Sequence, residues 1–406
     1  MQTTEQKNRN LKFFILSGIF NTLMLNLYNP FMIKFLQRLG GNEFHISLYN
    51  SLPGLAGILS SLPGAIYMIR QNQKSTKIHM MQFMLISRIM IISFAFLVFT
   101  PRNIAPWLFV IIFAVKSIPE SISLTAYQGF TGDLFCDDFR CTAISLKSKL
   151  SIPVSVVVTL ISGYALRAFP KNDAERMGYY QVFFAASMIF GIFEILSYMA
   201  VKEPENQAVH REINMRAVFS EMRNQKKFIS FTWSSLLFYF GWQMGWPLFN
   251  IYEVVNLGAD EFWLSVISVV ASVGSYLGYG YWDRQIKKRG SAMVASITTL
   301  AMSANPIFIA ISPNLYWVSA LNFISGFITA GNVTVLLDAL LESTPQDNRV
   351  IYVGTYNTLT NLTLAVSPIV AHGVLQMTGI LCALIIVGII RLAGSAVLYL
   401  NYAKKT

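Results

Sequence analysis

The sequence has few of the residues from which catalytic and metal sites are built. It contains 3 cysteines and 4 histidines in 406 residues, and neither type clusters. The cysteines lack CxxC spacing, so no disulfide framework, zinc site or other metal site is predicted. The phosphate-binding pattern GxxxxGK[ST] and the hydrolase patterns HExxH and GxSxG are also missing. These absences argue against an ATP-driven pump or an intramembrane enzyme, and no cofactor is expected.

Charge is scarce as well, since only 13% of the residues are charged, whereas 54% are hydrophobic. Apolar runs recur, and about 20 helical residues suffice to cross a bilayer core about 30 Å thick. The runs lie near residues 12–36, 44–69, 78–99, 105–132, 142–168 and 179–201, then 228–252, 262–282, 291–312, 314–338, 350–375 and 379–402. The sequence therefore predicts an all-α integral membrane protein with 12 transmembrane helices.

A polar break separates six predicted spans from the next six. Residues 202–227 are rich in Lys, Arg and Glu, too polar to enter lipid, and their second part favours a helix. This segment is predicted to be a cytoplasmic linker. The predicted domains are an N-terminal six-helix bundle (1–201), the linker (202–227) and a C-terminal six-helix bundle (228–406).

The positive charges indicate the orientation. If the N-terminus lies in the cytoplasm, 20 of the 31 Lys and Arg residues fall in cytoplasmic segments, 6 in outer segments and 5 within spans. This bias follows the positive-inside rule and places both termini in the cytoplasm. It also explains the net charge of +11 without nucleic acid as a partner. The N-terminal basic and apolar run lacks a small-residue cleavage site, so it is interpreted as an uncleaved first helix.

The two halves share a repeated sequence. LGGNEFHIS at 39–47 matches LGADEFWLS at 257–265 at an offset of 218 residues. Small residues four apart follow each repeat and would let a neighbouring helix approach closely. They are Ala56, Ser60 and Gly64 in the first half and Gly274 and Gly278 in the second. Arg140 and Arg349 also occupy corresponding places, each after an acidic stretch. A duplicated six-helix unit is the simplest explanation, and such repeats are typical of transporters.

Two further stretches resemble sequences of the major facilitator superfamily. They are GYGYWDRQIKKRG (278–290) and TPQDNRVIYVGTYNTLTNLTLAVSPIVAHG (344–373). The resemblance implies two six-helix halves that rock around a central solute site. It also implies a conformational latch at the cytoplasmic ends of the helices. The residues that match this latch are Asp283 and Arg284, with Asp133, Arg140 and Arg349 in the neighbouring acidic and basic stretches. A solvated loop is the alternative for all of these residues except Asp283.

Charged residues inside predicted spans are costly, so each needs an explanation. Lys116 and Glu120 lie one helical turn apart and can share a face. They are predicted to bind solute or a proton, and a purely structural ion pair is the alternative. Arg88 and Glu194 have similar predicted depths and are expected to form a structural ion pair. Arg391 has no evident acidic partner, and bonding to the backbone of a neighbouring helix is the simplest interpretation.

Polar residues amid aromatics form the remaining candidates for solute contact. Such amides suit a cavity that hydrogen-bonds a solute, but packing between helices explains them equally well. These candidates are Asn26 and Asn29 in span one, Trp246 and Asn250 in span seven, and Asn357 and Asn361 in span eleven.

The function expected from these observations is secondary active transport of a small solute by alternating access, with protons as a further partner. A membrane sensor or scaffold that keeps the fold without transporting is the alternative. The chain is expected to be a monomer in a bilayer, specifically the bacterial cytoplasmic (inner) membrane. Substrate identity, direction and the choice among uniport, symport and antiport stay open.

Overall fold

The computed structural model describes residues 4–70, 74–135, 137–202, 215–345 and 349–403. Within these ranges the regular structure is helical, and no strand is present. This confirms the predicted all-α class. Residues 203–214 of the predicted linker and the side chains of Asp133, Arg140 and Arg349 lie outside the described residues.

The chain divides into two compact units. Unit 1 comprises Met1–Gly41, Leu59–His210 and Asp260–Ser265. Its apolar segments give long helices because every backbone group inside a bilayer must be bonded within the helix itself. Its helices are α1 (Thr4–Tyr28), α2 (Met32–Arg38), the second part of α3 (Glu43–Arg70), α4 (Lys74–Phe96), α5 (Ala105–Leu134), α6 (Asp137–Ala168) and α7 (Asp173–Met199).

Unit 2 comprises Asn42–Ile58, Arg211–Ala259 and Val266–Thr406. It includes the first part of α3, and a helix within the predicted linker precedes its long helices. The helices of unit 2 are α8 (Met215–Asn224), α9 (Lys226–Ile251), the part of α10 (Glu261–Arg289) from residue 266 onward, α11 (Ser291–Ala310), α12 (Leu315–Ser343) and α13 (Arg349–Leu398). α13 is interrupted at Gly379, whose φ of 78° is readily adopted only by glycine.

Nine helices of the described chain are long and apolar enough to cross a membrane, one of them the interrupted α13. Large apolar side chains such as Leu59, Phe96 and Ile311 are more than half exposed. Exposed apolar surface of this kind suits contact with lipid. The figure of 12 spans and the cytoplasmic position of both termini stay predictions.

Each unit has its own apolar core. In unit 1, Phe14 of α1 packs with Met80 of α4, Phe130 of α5 and Tyr198 of α7. The Tyr198 ring meets Phe130 edge-on with ring centroids 6.1 Å apart. This cluster joins four helices, and it holds the helices that carry the charged residues described below.

In unit 2, small residues allow two helices to approach closely. A side chain at Gly278 of α10 would come within 2.5 Å of the Phe327 carbonyl oxygen of α12, and one at Gly274 would collide with Phe323. Trp282, one turn further on, donates its indole N–H to the Phe327 carbonyl at 2.8 Å. The predicted close approach at the small residues of this repeat is confirmed for α10.

Candidate functional site

Four charged side chains of unit 1 form one connected network. Lys116 Nζ donates to Glu120 Oε2 at 2.6 Å, both on α5. Arg88 of α4 donates from Nη1 to Glu120 Oε1 at 3.3 Å, and from Nε to Glu194 Oε2 of α7 at 3.1 Å. The two pairs expected separately from the sequence are therefore joined through Arg88.

The four members differ in exposure. The side chains of Lys116, Arg88 and Glu194 are 2%, 7% and 3% exposed, whereas that of Glu120 is 35% exposed. Two cations and two carboxylates balance, so the network as a whole is neutral. A neutral network offsets much of the desolvation cost of its members. Glu120 is the member that solvent or a solute can reach.

Local sequence explains how the network fits between helices. The spacing of Lys116 and Glu120 places both on one face of α5. Pro119 has no backbone N–H, so the helix loses one bond to its preceding turn next to Glu120. On α7, a side chain at Gly191 would come within 2.8 Å of Arg88 Cγ. Glycine at 191 therefore makes the room that the arginine occupies.

The exposed part of Glu120 does not lie on the apolar outer face of α5. Trp107, Ile111, Val115 and Ile118 are exposed and follow the helical spacing of a single face. At about 100° per residue, Glu120 lies roughly opposite that face. Its carboxylate is therefore reached from the side of α5 that lies away from this apolar face. A proton taken up there would leave the network with one net positive charge.

Asn26 and Asn29, the candidates for solute contact in predicted span one, have other surroundings than the charged network. Asn26 Oδ1 accepts hydrogen bonds from Ser155 Oγ at 2.8 Å and Thr159 Oγ1 at 3.0 Å, both on α6. Its amide group donates to the Thr22 carbonyl at 2.8 Å. The bonds to Ser155 and Thr159 join α1 to α6. They favour the alternative interpretation of Asn26, in which it serves in packing between helices. Asn29 is exposed in the short 3-10 turn after α1.

The other candidates for solute contact belong to unit 2. Asn250 of α9 donates to Asn50 Oδ1 of α3 at 3.5 Å, at the limit of a hydrogen bond. Asn361 of α13 is partly buried, whereas Asn357 and Trp246 are exposed. The four residues do not belong to the charged network of unit 1, and their role in solute binding stays a prediction.

The predicted latch has one described contact. Asp283 Oδ2 accepts from Lys287 Nζ at 2.7 Å, within α10, and both side chains are exposed. Arg284 is exposed as well. An exposed pair of this spacing stabilises its own helix by only about 0.3–0.5 kcal/mol. The latch role of these residues stays a prediction.

A buried ion pair near the repeat was missed at the level of sequence. Glu261, 1% exposed, accepts from Arg38 Nε at 2.7 Å and from the Tyr180 hydroxyl at 3.0 Å. Arg38 also donates to Asp173 at 2.8 Å. Glu261 is the glutamate of LGADEFWLS, so the repeated glutamate was the signal that could have identified it.

Arg391 in α13 is fully buried and bonds to backbone. Its guanidinium donates to the carbonyl oxygens of Gly241, Trp242 and Met302 at 3.0, 2.9 and 3.2 Å. Met302 lies four residues before Pro306, which lacks the N–H that would otherwise bond to that carbonyl. The bonding to neighbouring backbone that was expected for Arg391 is confirmed.

Comparison with known proteins identifies the fold. Residues 14–368 match the family model described as Major Facilitator Superfamily. The nucleoside transporter NupG is similar in structure, with a TM-score of 0.71 and 12% identity over 96% of this chain and 100% of that one. A D-xylose-proton symporter gives 0.70 and 14%, covering 97% of each chain. The human organic anion transporter MFSD10 gives 0.61 and 13%, covering 98% and 100%. No curated protein matches the sequence.

Proposed function

We propose that this chain, which belongs to the Major Facilitator Superfamily and is a multi-pass membrane transporter rather than an enzyme, moves a small solute by alternating access with a proton as its coupling ion. The observation that carries the proposal is the network of Arg88, Lys116, Glu120 and Glu194. Lys116 and Arg88 bond to Glu120, and Glu194 bonds to Arg88 in turn. Of the four members, Glu120 is the one open enough to exchange a proton or contact a solute.

Proton exchange at Glu120 would change the charge of the whole network. In its ionised form Glu120 neutralises Lys116 and shares Arg88 with Glu194. Protonation removes one negative charge and leaves two cations facing one carboxylate. The network then attracts a further anionic or hydrogen-bond-accepting group. Binding of solute and binding of a proton would thus depend on each other, which is the requirement for coupling.

One of the similar folds is named as a proton symporter, which is compatible with proton coupling here. The names of the similar structures cover a nucleoside, organic anions and a sugar, so they do not narrow the solute class. The first experiment therefore has to identify the solute and the coupling together.

The experiment measures uptake into proteoliposomes from a mixed metabolite pool by mass spectrometry. It is done with and without an imposed pH gradient. The variants are Glu120→Gln and, as a matched control, Glu175→Gln, which removes an exposed carboxylate outside the network. We expect gradient-dependent uptake of one solute class by the native chain and by Glu175→Gln. Glu120→Gln is expected to lose the dependence on the gradient.

Two other outcomes would contradict the proposal in different ways. Uptake that responds to the gradient equally in Glu120→Gln would make Glu120 a structural residue. Failure of every solute to move, with the native chain folded in the vesicles, would favour the membrane sensor or scaffold.

A further inference from the structure

The described part of the chain contains three glutamates that are almost fully buried. Glu194, Glu253 and Glu261 are 3%, 6% and 1% exposed. Two of them face a guanidinium: Glu194 pairs with Arg88 at 3.1 Å, and Glu261 pairs with Arg38 at 2.7 Å. A buried carboxylate needs such a partner because its desolvation alone costs several kcal/mol.

Glu253 in unit 2 has no such partner among the described residues. Its Oε1 accepts from the Asn322 amide of α12 at 3.4 Å, and the same amide also donates to the Val318 carbonyl at 3.0 Å. Within the described residues, no Lys, Arg or His forms an ion pair with it. One shared, long hydrogen bond from a neutral amide compensates little of the cost of burying a negative charge.

Hydrogen bonds fix the turn that carries Glu253. Glu253 lies in a π-helical turn, Tyr252–Asn256, that follows α9 and precedes α10, outside the nine candidate spans. The Tyr252 hydroxyl donates to the Ser312 carbonyl after α11 at 2.8 Å, and Ala259 N–H donates to the Glu253 carbonyl at 2.9 Å. Turns of this type are frequent at functional sites.

The groups with described contacts to the turn are neutral, so burial is the main influence on the Glu253 carboxyl. α12 presents the Asn322 amide, the segment after α11 presents a carbonyl, and the neighbouring Tyr252 uses its hydroxyl on that carbonyl. Burial raises the pKa of the Glu253 carboxyl to about 7, and the Asn322 amide opposes this only in part. No charged side chain of the described residues contributes to this shift. A carboxyl that titrates near neutral pH is suited to reversible proton exchange.

We propose that Glu253 is a second proton-binding site of this transporter, separate from Glu120, and that its carboxyl carries a proton in this conformation. When the site is exposed to water, the O–H bond breaks, the proton passes to water and a carboxylate remains. Return to the buried form requires that the carboxylate takes a proton back. The proposal rests on the proposed transport function and names the proton as the ligand of a site in unit 2.

Infrared spectroscopy of the protein in lipid tests the site without knowledge of the solute. The C=O stretch of protonated carboxyl groups is followed from about pH 5 to about pH 9, a range above the pKa of unperturbed carboxyls. The native chain is expected to show a titration with a midpoint near neutral pH. Glu253→Gln should lack it, and Glu261→Gln, which removes an equally buried but paired carboxylate, should retain it. The same titration in Glu253→Gln would overturn the proposal.

A second variant keeps the carboxyl and changes its surroundings. Asn322→Lys places an ammonium group beside Glu253, which should lower its pKa by about 1 to 3. The titration should then move to lower pH, with folding checked by helix content and thermal unfolding. A folded Asn322→Lys protein with an unchanged midpoint would contradict the assignment.

The infrared and uptake experiments distinguish failure of this proposal from failure of the proposed function. If the titration belongs to Glu253 and no solute moves, the proton site stands and the transport proposal fails. If uptake depends on Glu120 and the pH gradient but no carboxyl titrates at Glu253, the transport proposal stands and the second site is wrong.

Discussion

Replacement of Arg88 by methionine should destabilise unit 1 more than any other single change in its charged network. Arg88 contacts both Glu120 and Glu194, and it is the ion-pair partner of the buried Glu194. Its loss leaves Lys116 to balance two carboxylates, one of them 3% exposed. Breaking a buried pair by removing one partner costs about 3–5 kcal/mol. Glu120→Gln should cost less, about 1–3 kcal/mol, because the Glu120 side chain is partly solvated.

The double variant Arg88→Met/Glu194→Gln decides whether this reasoning is right. It removes the stranded carboxylate together with the guanidinium, so it should be more stable than Arg88→Met alone. The coupling free energy should be about 1–3 kcal/mol, within the range for residues in direct contact. The assay is the free energy of unfolding in mixed detergent micelles, followed by circular dichroism. Additive costs within about 0.5 kcal/mol would show that Arg88 and Glu194 do not stabilise each other.

Four further variants can be measured in the same unfolding assay. Gly245→Ala places a methyl group against the Arg391 guanidinium and should cost about 1–3 kcal/mol through overpacking. Gly373→Ala, which meets nothing within 4 Å, should be neutral or stabilising by about 0.5–1 kcal/mol, and equal effects at both positions would contradict the packing argument. Glu261→Gln should cost about 1.5–3 kcal/mol, since it weakens a buried charge-assisted bond. Lys287→Met should cost less than about 1 kcal/mol, because its pair is exposed, and a larger loss there would give that pair a structural role.

The sequence was sufficient for the helices and for contacts along one helix. Apolar runs predict long helices because a bilayer permits few alternatives, and the family assignment followed from motifs that the comparison confirms. The contact between Lys116 and Glu120 follows from their spacing on α5, and the structure has it at 2.6 Å. Helical periodicity alone fixes such neighbours.

Contacts between helices were harder to predict, because sequence spacing carries no information on how helices face each other. Arg88 and Glu194 could be paired by depth, but the bond from Arg88 to Glu120 that joins the two pairs could not. Glu253 was missed for a related reason. It lies just beyond the predicted end of span seven at residue 252, where an exposed loop glutamate is the ordinary expectation. Its burial depends on α12, which begins about 60 residues later.

The buried ionisable side chains of the described residues have three kinds of surroundings, and the difference bears on which of these side chains can titrate. Arg88 and Glu194 pair with opposite charges, so changing either one is costly. Arg391 bonds to backbone carbonyl oxygens, one of them left unbonded by a proline, so it needs no carboxylate and stays in place. Among the described residues, the partner of the Glu253 carboxyl is an amide that is shared with a carbonyl oxygen. A carboxyl group in that position can remain buried as a neutral acid, and it becomes charged only when its surroundings change. This property distinguishes the proposed site at Glu253 from the buried pair of Arg88 and Glu194.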